Sequence, residues 1–492
     1  MSSEAKLPLI LAVSGHRELR EEDLPAIRES VRKVLRELRE QFPHTPLKLM
    51  TNLAEGADSL CAELALEAGI PLIAALPLPI DEFRKDFTGE KREAFERLCA
   101  AAESVFSVPD TEERPEDAKR SFSYRQGGLY LARHCQILLA LWEGNPPKRG
   151  GCGVAEVAEF AGREKVPVIR IHCPRQEGSD LPAGEIVRLS STEEFSRLED
   201  FNREAESLEA EDRPDIFPQA YYAAGKLSAK ASEKYRTALK LISAAGTALA
   251  TALLLYDELG LGGMIFVCGA LILLLAGIRL YTVRSACHRN YMEYRALAES
   301  LRVLSYLRSA GSRVHIGDLF TVYQKAEIAW ITKTVCALDA EPRPAEGGDI
   351  SQRWFQEQRN YHTVAGNQSD RRLKRNNAVI RTACGVSIAI YLFAAAAELF
   401  FASPGLRLGI CITLGAISAA TLFISLYYGR LSVERQSEDH TIMAEFFEEA
   451  LAEYRENGQT EVLLERCARE EIAENANWFA YTAENAPDIR FI

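Results

Sequence analysis

The sequence predicts an α/β doubly wound domain followed by an all-α membrane domain with four transmembrane helices. Three observations carry this expectation. Residues 1 to about 175 alternate short apolar runs with amphipathic stretches, as in a parallel sheet covered by helices. Several of these runs end in glycine and polar residues, as strands do where they open on a ligand crevice. Beyond about residue 237 the composition shifts sharply, and four apolar segments approach the length needed to cross a hydrocarbon core.

The elements follow in order. Leu7–Val13 reads as a strand that ends in Ser14-Gly15-His16-Arg17. Leu24–Phe42 reads as an amphipathic helix with Ile27, Val31, Val34, Leu35 and Leu38 on one face. Leu47–Asn52 is a second strand, followed by Ala54-Glu55-Gly56-Ala57-Asp58 and a helix through Leu60, Leu64 and Ala68. Pro71–Leu76 is a third strand, Asp81–Phe87 a polar turn, Lys91–Ala102 a helix and Ser104–Val108 a short strand. Tyr124–His134 (helix), Cys135–Trp142 (buried strand), Val154–Gly162 (helix) and Val166–Cys173 (strand) complete the alternation. Gly184–Ser190 adds an edge strand. Ser191-Thr192-Glu193-Glu194 reads as a capping box opening a helix to about Leu208. The acidic, proline-containing stretch Glu209–Pro218 reads as a linker. The expected organisation is therefore 1–210 as the α/β domain and 211–237 as linker and lead-in helix. Residues 238–340 and 341–492 then form two membrane hairpins with cytoplasmic helices.

Within the first domain, Pro146 to Glu156 places Gly150, Gly151 and Gly153 between a strand and a helix. Such glycines let backbone N–H groups approach an anion, and the helix N-terminus adds partial positive charge. Glu156 in the first turn is placed to meet a ribose or an attacking water; the alternative is a plain tight turn. Together with the ends of the first two strands, these residues make a nucleotide pocket the leading reading. Its candidate ligand-binding residues are Ser14, Gly15, His16, Arg17, Glu55, Gly56, Asp58, Gly150, Gly151, Gly153 and Glu156. His16 could instead satisfy backbone groups, Asp58 could be a helix N-cap, and Glu55 could face solvent.

A net charge of −12 argues against a nucleic-acid polymer as partner. Eleven scattered cysteines, odd in number and without a C-x-x-C pair, argue against a disulfide framework and for a reducing compartment. No metal-ligand cluster and no cofactor site stands out, and the polar start is not expected to be a cleavable signal peptide.

The order of elements and the motif Gly150-Gly151-x-Gly153-x-x-Glu156 resemble the SLOG superfamily. This Rossmann-like group includes LOG nucleotide phosphoribohydrolases, DprA-like proteins and sensor domains of bacterial defence systems. The LOG signature is Pro-Gly-Gly-x-Gly-Thr-x-x-Glu; here Arg149 replaces the proline and Val154 the threonine, so a phosphate-binding hydroxyl is missing. The resemblance implies nucleotide binding. If hydrolysis is retained, it implies Glu156 as a catalytic residue acting with Arg125 or Arg17.

In the second half, Leu239–Tyr256, Met264–Leu280, Ala378–Phe401 and Leu408–Tyr428 are the apolar segments, paired by short loops at 257–263 and 402–407. Basic residues concentrate between the pairs and after the last segment, which places both termini in the cytoplasm. The pairs read as a repeat. Lys230–Lys240 and Arg371–Arg381 lead in; His288 and Met292, then His440 and Met443, lie in the lead-out helices. Tyr291–Leu304 resembles the SLATT group of two-span effectors, and Trp354–His362 has a similar pattern. Small residues such as Gly246, Gly385 and Gly415 suit close helix packing or homo-oligomers. Glu398 is the exceptional acid, read as interfacial or as pore-lining. The combined resemblance implies a sensor of a nucleotide second messenger, a cyclic oligonucleotide or NAD-derived molecule made by a partner enzyme. It further implies a membrane effector in the bacterial inner membrane that serves antiphage defence. The rival expectation is a membrane-anchored N-glycosidase of nucleoside phosphates or NAD derivatives.

Overall fold

A computed structural model of the chain describes residues 5–110, 114–115, 119–147, 153–176, 181–209, 215–343, 347–400 and 404–484. The chain divides into two compact units, Met1–Ala224 with Ser300–Gly348 and Gly225–Glu299 with Asp349–Ile492.

The first unit is built on a seven-stranded sheet. Its strands are β1 (Leu9–Gly15), β2 (Leu47–Thr51), β3 (Leu72–Leu76), β4 (Ser104–Ser107), β5 (Ile137–Leu141), β6 (Val168–Ile171) and β7 (Ile186–Arg188). They lie in the order β4-β3-β2-β1-β5-β6-β7. Only β7 is antiparallel, paired to β6 at the edge. β3 and β5 are buried along their whole length, which explains why both read as unbroken apolar runs. The connecting helices are α1 (Leu24–Gln41), α2 (Ala57–Glu67), α3 (Ile80–Phe83), α4 (Gly89–Ala101), α5 (Arg120–Arg133), α6 (Val154–Arg163) and α7 (Ser196–Ala205). In α1 the buried residues are Ile27, Val31, Val34, Leu35 and Leu38, the face anticipated from their spacing. Each such side chain contributes about 1.5–3 kcal/mol on burial.

Three local expectations are corrected. Asp81–Phe87 is not an open turn: α3 and a 3₁₀ turn at Arg84–Asp86 fold there, because Phe83 and Phe87 pack on Phe95. The capping box at Ser191 does not form. Ser191 Oγ accepts from Glu193 N, while Glu194 pairs with Lys333 at 2.6 Å. That contact is made with the third point of difference, residues 300–348, of which 300–340 were expected in the first membrane hairpin and 341–348 in the second. They belong instead to the sheet unit. This unit takes in the end of α10 (Cys287–Ser309), then α11 (Val322–Glu327) and α12 (Ala329–Leu338). Ala337 and Ala340 join the core around Ile10, Leu138 and Val168. Buried Gln136 fastens the same region, accepting from Ile10 N at 2.6 Å and donating to Thr334 Oγ1 at 3.1 Å.

The second unit is helical. α8 (Gln219–Leu259), α9 (Met264–Ser285) and α10 (Cys287–Ser309) form the first hairpin with its lead-in and lead-out segments. α13 (Ser351–Phe400), α14 (Pro404–Arg430) and α15 (Val433–Asn457) form the second, and α16 (Glu461–Glu484) follows. Among the described residues four helices are long and apolar enough to cross a membrane. Large side chains such as Phe266, Leu273, Tyr391 and Phe393 are exposed along them, as lipid-facing residues are. The repeat anticipated from the sequence has a backbone signature. The break after α9 falls at Ala286 (φ 45°) and that after α14 at Ser432 (φ 47°), both left-handed. In each repeat a lead-in tyrosine meets a lead-out histidine: Tyr235 with His288 at 4.7 Å between ring centroids, and Tyr361 with His440 at 5.8 Å. Gly246 faces Phe423 and Gly415 faces Leu254, so the small residues do let the first and fourth apolar segments close on each other. The side chain of Glu398 lies outside the described ones.

Candidate functional site

The chain turns from β1 to β2 on one side of the sheet and returns to β5 on the other, so the strand order reverses between β1 and β5. A crevice opens at that point, outside the carboxyl ends of the strands, where doubly wound sheets take ligands. Its volume is about 730 Å³. Ser14, Gly15, His16 and Arg17 enter its wall from β1, Asn52 and Asp58 from the β2–α2 turn, and Gly153 with Val157 from α6.

Two glycines set this geometry. A Cβ on Gly15 would lie 2.3 Å from Ala57 Cβ, so only glycine lets β1 and α2 approach this closely. Gly56 has φ +81°, and a Cβ there would lie 2.2 Å from the Arg17 carbonyl oxygen. The neighbouring Ala57 N–H donates to the His16 carbonyl at 3.0 Å. The β2–α2 turn thus holds the 14–17 backbone in place.

The side chains are held as firmly. His16 is buried; its Nδ1 accepts from Arg175 Nη2 at 3.0 Å and its Nε2 hydrogen-bonds the Glu143 carboxylate. Burial holds the His16 imidazole below its ordinary pKa, against the opposing pull of Glu143. The neutral ring with Nε2–H donating to Glu143 satisfies both contacts. Arg17 lies over the Tyr124 ring, 4.7 Å from its centroid, a contact of about 0.5–2 kcal/mol. The Tyr124 hydroxyl donates to Asp86, whose other oxygen accepts from Arg120 at 2.6 Å, which fixes the ring under Arg17. Among the described residues neither Arg17 nor Arg175 forms a salt bridge, although Arg17 lies near enough to Asp58 for its charge to favour the ionised carboxyl. Two such guanidinium groups give the crevice donors of the kind that bind an anion.

Asp58 is not the helix N-cap, a place that Gly56 takes, but a buried residue of the first turn of α2. Burial pushes its carboxyl up to about 7, against hydrogen bonds from Thr51 and the Ala54 N–H. A raised pKa means that the folded state favours the protonated form. That contribution to stability is full below about pH 4 and is lost as pH rises through about 7. Asp58→Asn should therefore flatten the fall in unfolding temperature between pH 4 and 7 relative to the parent chain, read by calorimetry. The expected difference is on the order of a few kcal/mol.

The remaining candidates fall beside the crevice or beyond description. Glu156 pairs with Arg125 Nε at 2.7 Å; the two presumptive catalytic groups meet each other rather than forming the crevice wall. Half-buried Glu55 pairs with the exposed Lys91 at 2.8 Å. Gly150, Gly151, Arg149 and Cys152 lie outside the described residues. Glu143 and Arg175 were not anticipated. Glu143 lies two residues past the end of β5 and Arg175 four past the end of β6, on the same side of the sheet as Ser14 to Arg17.

The structure also gathers His134, His315 and Asp339, whose ligand atoms lie within 4.8 Å of one another. Arg343 grips both Asp339 oxygens at 2.7 and 2.8 Å, and His134 Nδ1 engages the Tyr130 carbonyl at 2.9 Å. Burial, with the nearby His315, pushes the His134 imidazole down to about 3. The guanidinium already supplies the positive charge a cation would bring, so the group fastens residues 315–343 to α5.

The first unit is thus a doubly wound α/β domain with an arginine-lined crevice at its switch point, and the second is a helical domain with four helices apolar enough to cross a membrane. No known family model matches the chain, and no curated protein matches it. Among solved structures it is similar to DNA processing protein A (DprA) from Streptococcus pneumoniae. The two are 19% identical over 35% of this chain and 53% of that one, with a TM-score of 0.24. The match thus spans about half of that protein's length.

Proposed function

We propose that the chain is a nucleotide-gated membrane effector of a bacterial antiphage defence system. The crevice of the first unit takes a nucleotide-derived signal, a cyclic oligonucleotide or an NAD-derived molecule supplied by a partner enzyme. The apolar hairpins of the second unit, assembled as a homo-oligomer in the inner membrane with both termini in the cytoplasm, permeabilise it. The observation that carries this reading is the pair Arg17 and Arg175, set around a 730 Å³ crevice and without a salt bridge among the described residues. A phosphate there would complete the hydrogen bonding of both guanidinium groups. Such a ligand shifts the hairpins only if it binds one of their arrangements more tightly than the other. The chain passes between the two units three times, twice within continuous helices, α8 and α10.

A second reading rests on the Arg125–Glu156 pair. An N-glycosidase would use Glu156 to activate water at the ribose while an arginine holds the phosphate. Isothermal titration of the full chain with a nucleotide panel separates the two. In the sensor reading, Arg17→Gln and Arg175→Gln each weaken binding about 10- to 100-fold, the weight of a charge-assisted hydrogen bond. Glu156→Gln leaves affinity within about threefold on the same scale. Release of free base that disappears in Glu156→Gln would replace the sensor with the enzyme.

A further inference from the structure

The second unit carries a pocket of its own, of about 280 Å³, at the ends of the apolar segments remote from both hairpin loops. Arg236 and Lys240 enter it from α8 just before the first apolar segment, and Arg372 and Arg375 from α13 just before the third. The floor is aromatic: Tyr235, Tyr291 and Tyr427 pack with Leu239 and Leu431. All four basic side chains are exposed, and among the described residues none has a carboxylate partner. Such an arrangement is not how helices neutralise their own charge. Nearby Lys374, by contrast, pairs with Asp370 one turn away, at 2.7 Å.

The placement follows from the repeat. Arg236 and Lys240 belong to the lead-in of the first hairpin and Arg372 and Arg375 to that of the second. Leu431 and Val433 flank the left-handed Ser432 that ends the fourth apolar segment. Four cations thus converge where apolar helix surface gives way to polar surface, over a tyrosine floor suited to an interface. We infer that this pocket binds the phosphate headgroup of an anionic phospholipid, the acyl chains running along the exposed apolar faces of the adjoining helices. A phosphodiester without the compensating ammonium of a zwitterionic headgroup suits these cations, and a basic pocket between membrane helices is a physical match for an anionic headgroup. The inference rests on reading the four apolar helices as membrane spans, and it is independent of the ligand of the first unit.

The test uses the full chain in nanodiscs of phosphatidylcholine with a minor fraction of phosphatidylglycerol, once insertion is confirmed by co-elution with the disc. Retained lipid is counted by native mass spectrometry. The parent chain should hold phosphatidylglycerol in preference to phosphatidylcholine. Each of Arg236→Gln, Lys240→Gln, Arg372→Gln and Arg375→Gln should weaken retention about fivefold. The same four positions changed between Arg and Lys should keep it. A control that removes four charges elsewhere on the same helices, at Lys230, Lys234, Arg371 and Lys374, should keep it as well. Equal loss in control and pocket variants would overturn the proposal, since it would reduce the effect to diffuse charge. Equal retention of both lipids would overturn it too. So would displacement by millimolar inorganic phosphate with no lipid retained, which would make the site one for a free anion.

Discussion

Gly56→Ala is expected to abolish ligand capture by the first unit and to lower its unfolding temperature by about 6–12 °C. Two costs combine. The residue has φ +81°, where a side chain costs roughly 1–3 kcal/mol. Its Cβ would also lie 2.2 Å from the Arg17 carbonyl oxygen and 2.5 Å from that of His16. Both obstacles are backbone and cannot swing aside. Relief requires the 16–17 segment to move, which breaks the Ala57 N–H to His16 carbonyl bond and carries Arg17 off Tyr124. About 3 kcal/mol at about 2–4 °C each gives the temperature range. Gly69→Ala is the matched control. Its φ is +68°, but nothing lies within 4 Å of a Cβ there, so only the backbone cost applies and binding should survive. If Gly56→Ala and Gly69→Ala behave alike in calorimetry and titration, the turn does not position the site.

The second large effect belongs to the helical unit. Gly246→Leu should separate the first and fourth apolar segments, because a Cβ at Gly246 would already lie 2.3 Å from the Phe423 ring. Overpacking of this kind costs about 1–3 kcal/mol. Thermal denaturation of the full chain in detergent should show it as a lower midpoint. Because the obstacle is a side chain, the cost should be recoverable: Phe423→Ala added to Gly246→Leu restores the volume and should return most of the midpoint. A destabilisation that Phe423→Ala leaves untouched would mean that the two segments are not held by this contact. Gly415 against Leu254 offers the same test one layer away.

The fold was largely legible because its signals are local. β1, β2, β3 and β5 are apolar runs bounded by glycine, proline or charge, and α1 shows its buried face by spacing alone. What escaped was set by distance along the chain. The sequence of α12 shows an apolar helix, but nothing local says that Ala337 and Ala340 cover a sheet whose strands lie far earlier in the chain. The capping box at Ser191 failed for the same reason, since Glu194 is taken by Lys333. A fragment ending near residue 210 would lack this cover, so ligand binding is best measured on the whole chain.

The site divides along the same line. Ser14 to Arg17, Asp58 and Gly153 were selected by their position after strands or before a helix, and the structure gathers them around one crevice. Gly56 was selected as a ligand-binding residue; it acts by holding the backbone that carries the others. Glu143 and Arg175 lie two and four residues past the ends of β5 and β6, and neither belongs to a recognisable motif. Their importance rests on one buried histidine that contacts both.

We propose that the arginine-lined crevice binds a nucleotide-derived anion and leaves it intact. The most direct measurement is ligand-observed proton NMR of the full chain in nanodiscs with a panel of nucleoside monophosphates, NAD, ADP-ribose species and cyclic di- and trinucleotides. The account predicts that one class broadens, that Arg17→Gln combined with Arg175→Gln restores its sharp lines, and that no new ribose signals grow in. Lines that stay sharp for every compound, or broadening that survives the double variant, would contradict it; so would the growth of free-base and ribose-phosphate signals.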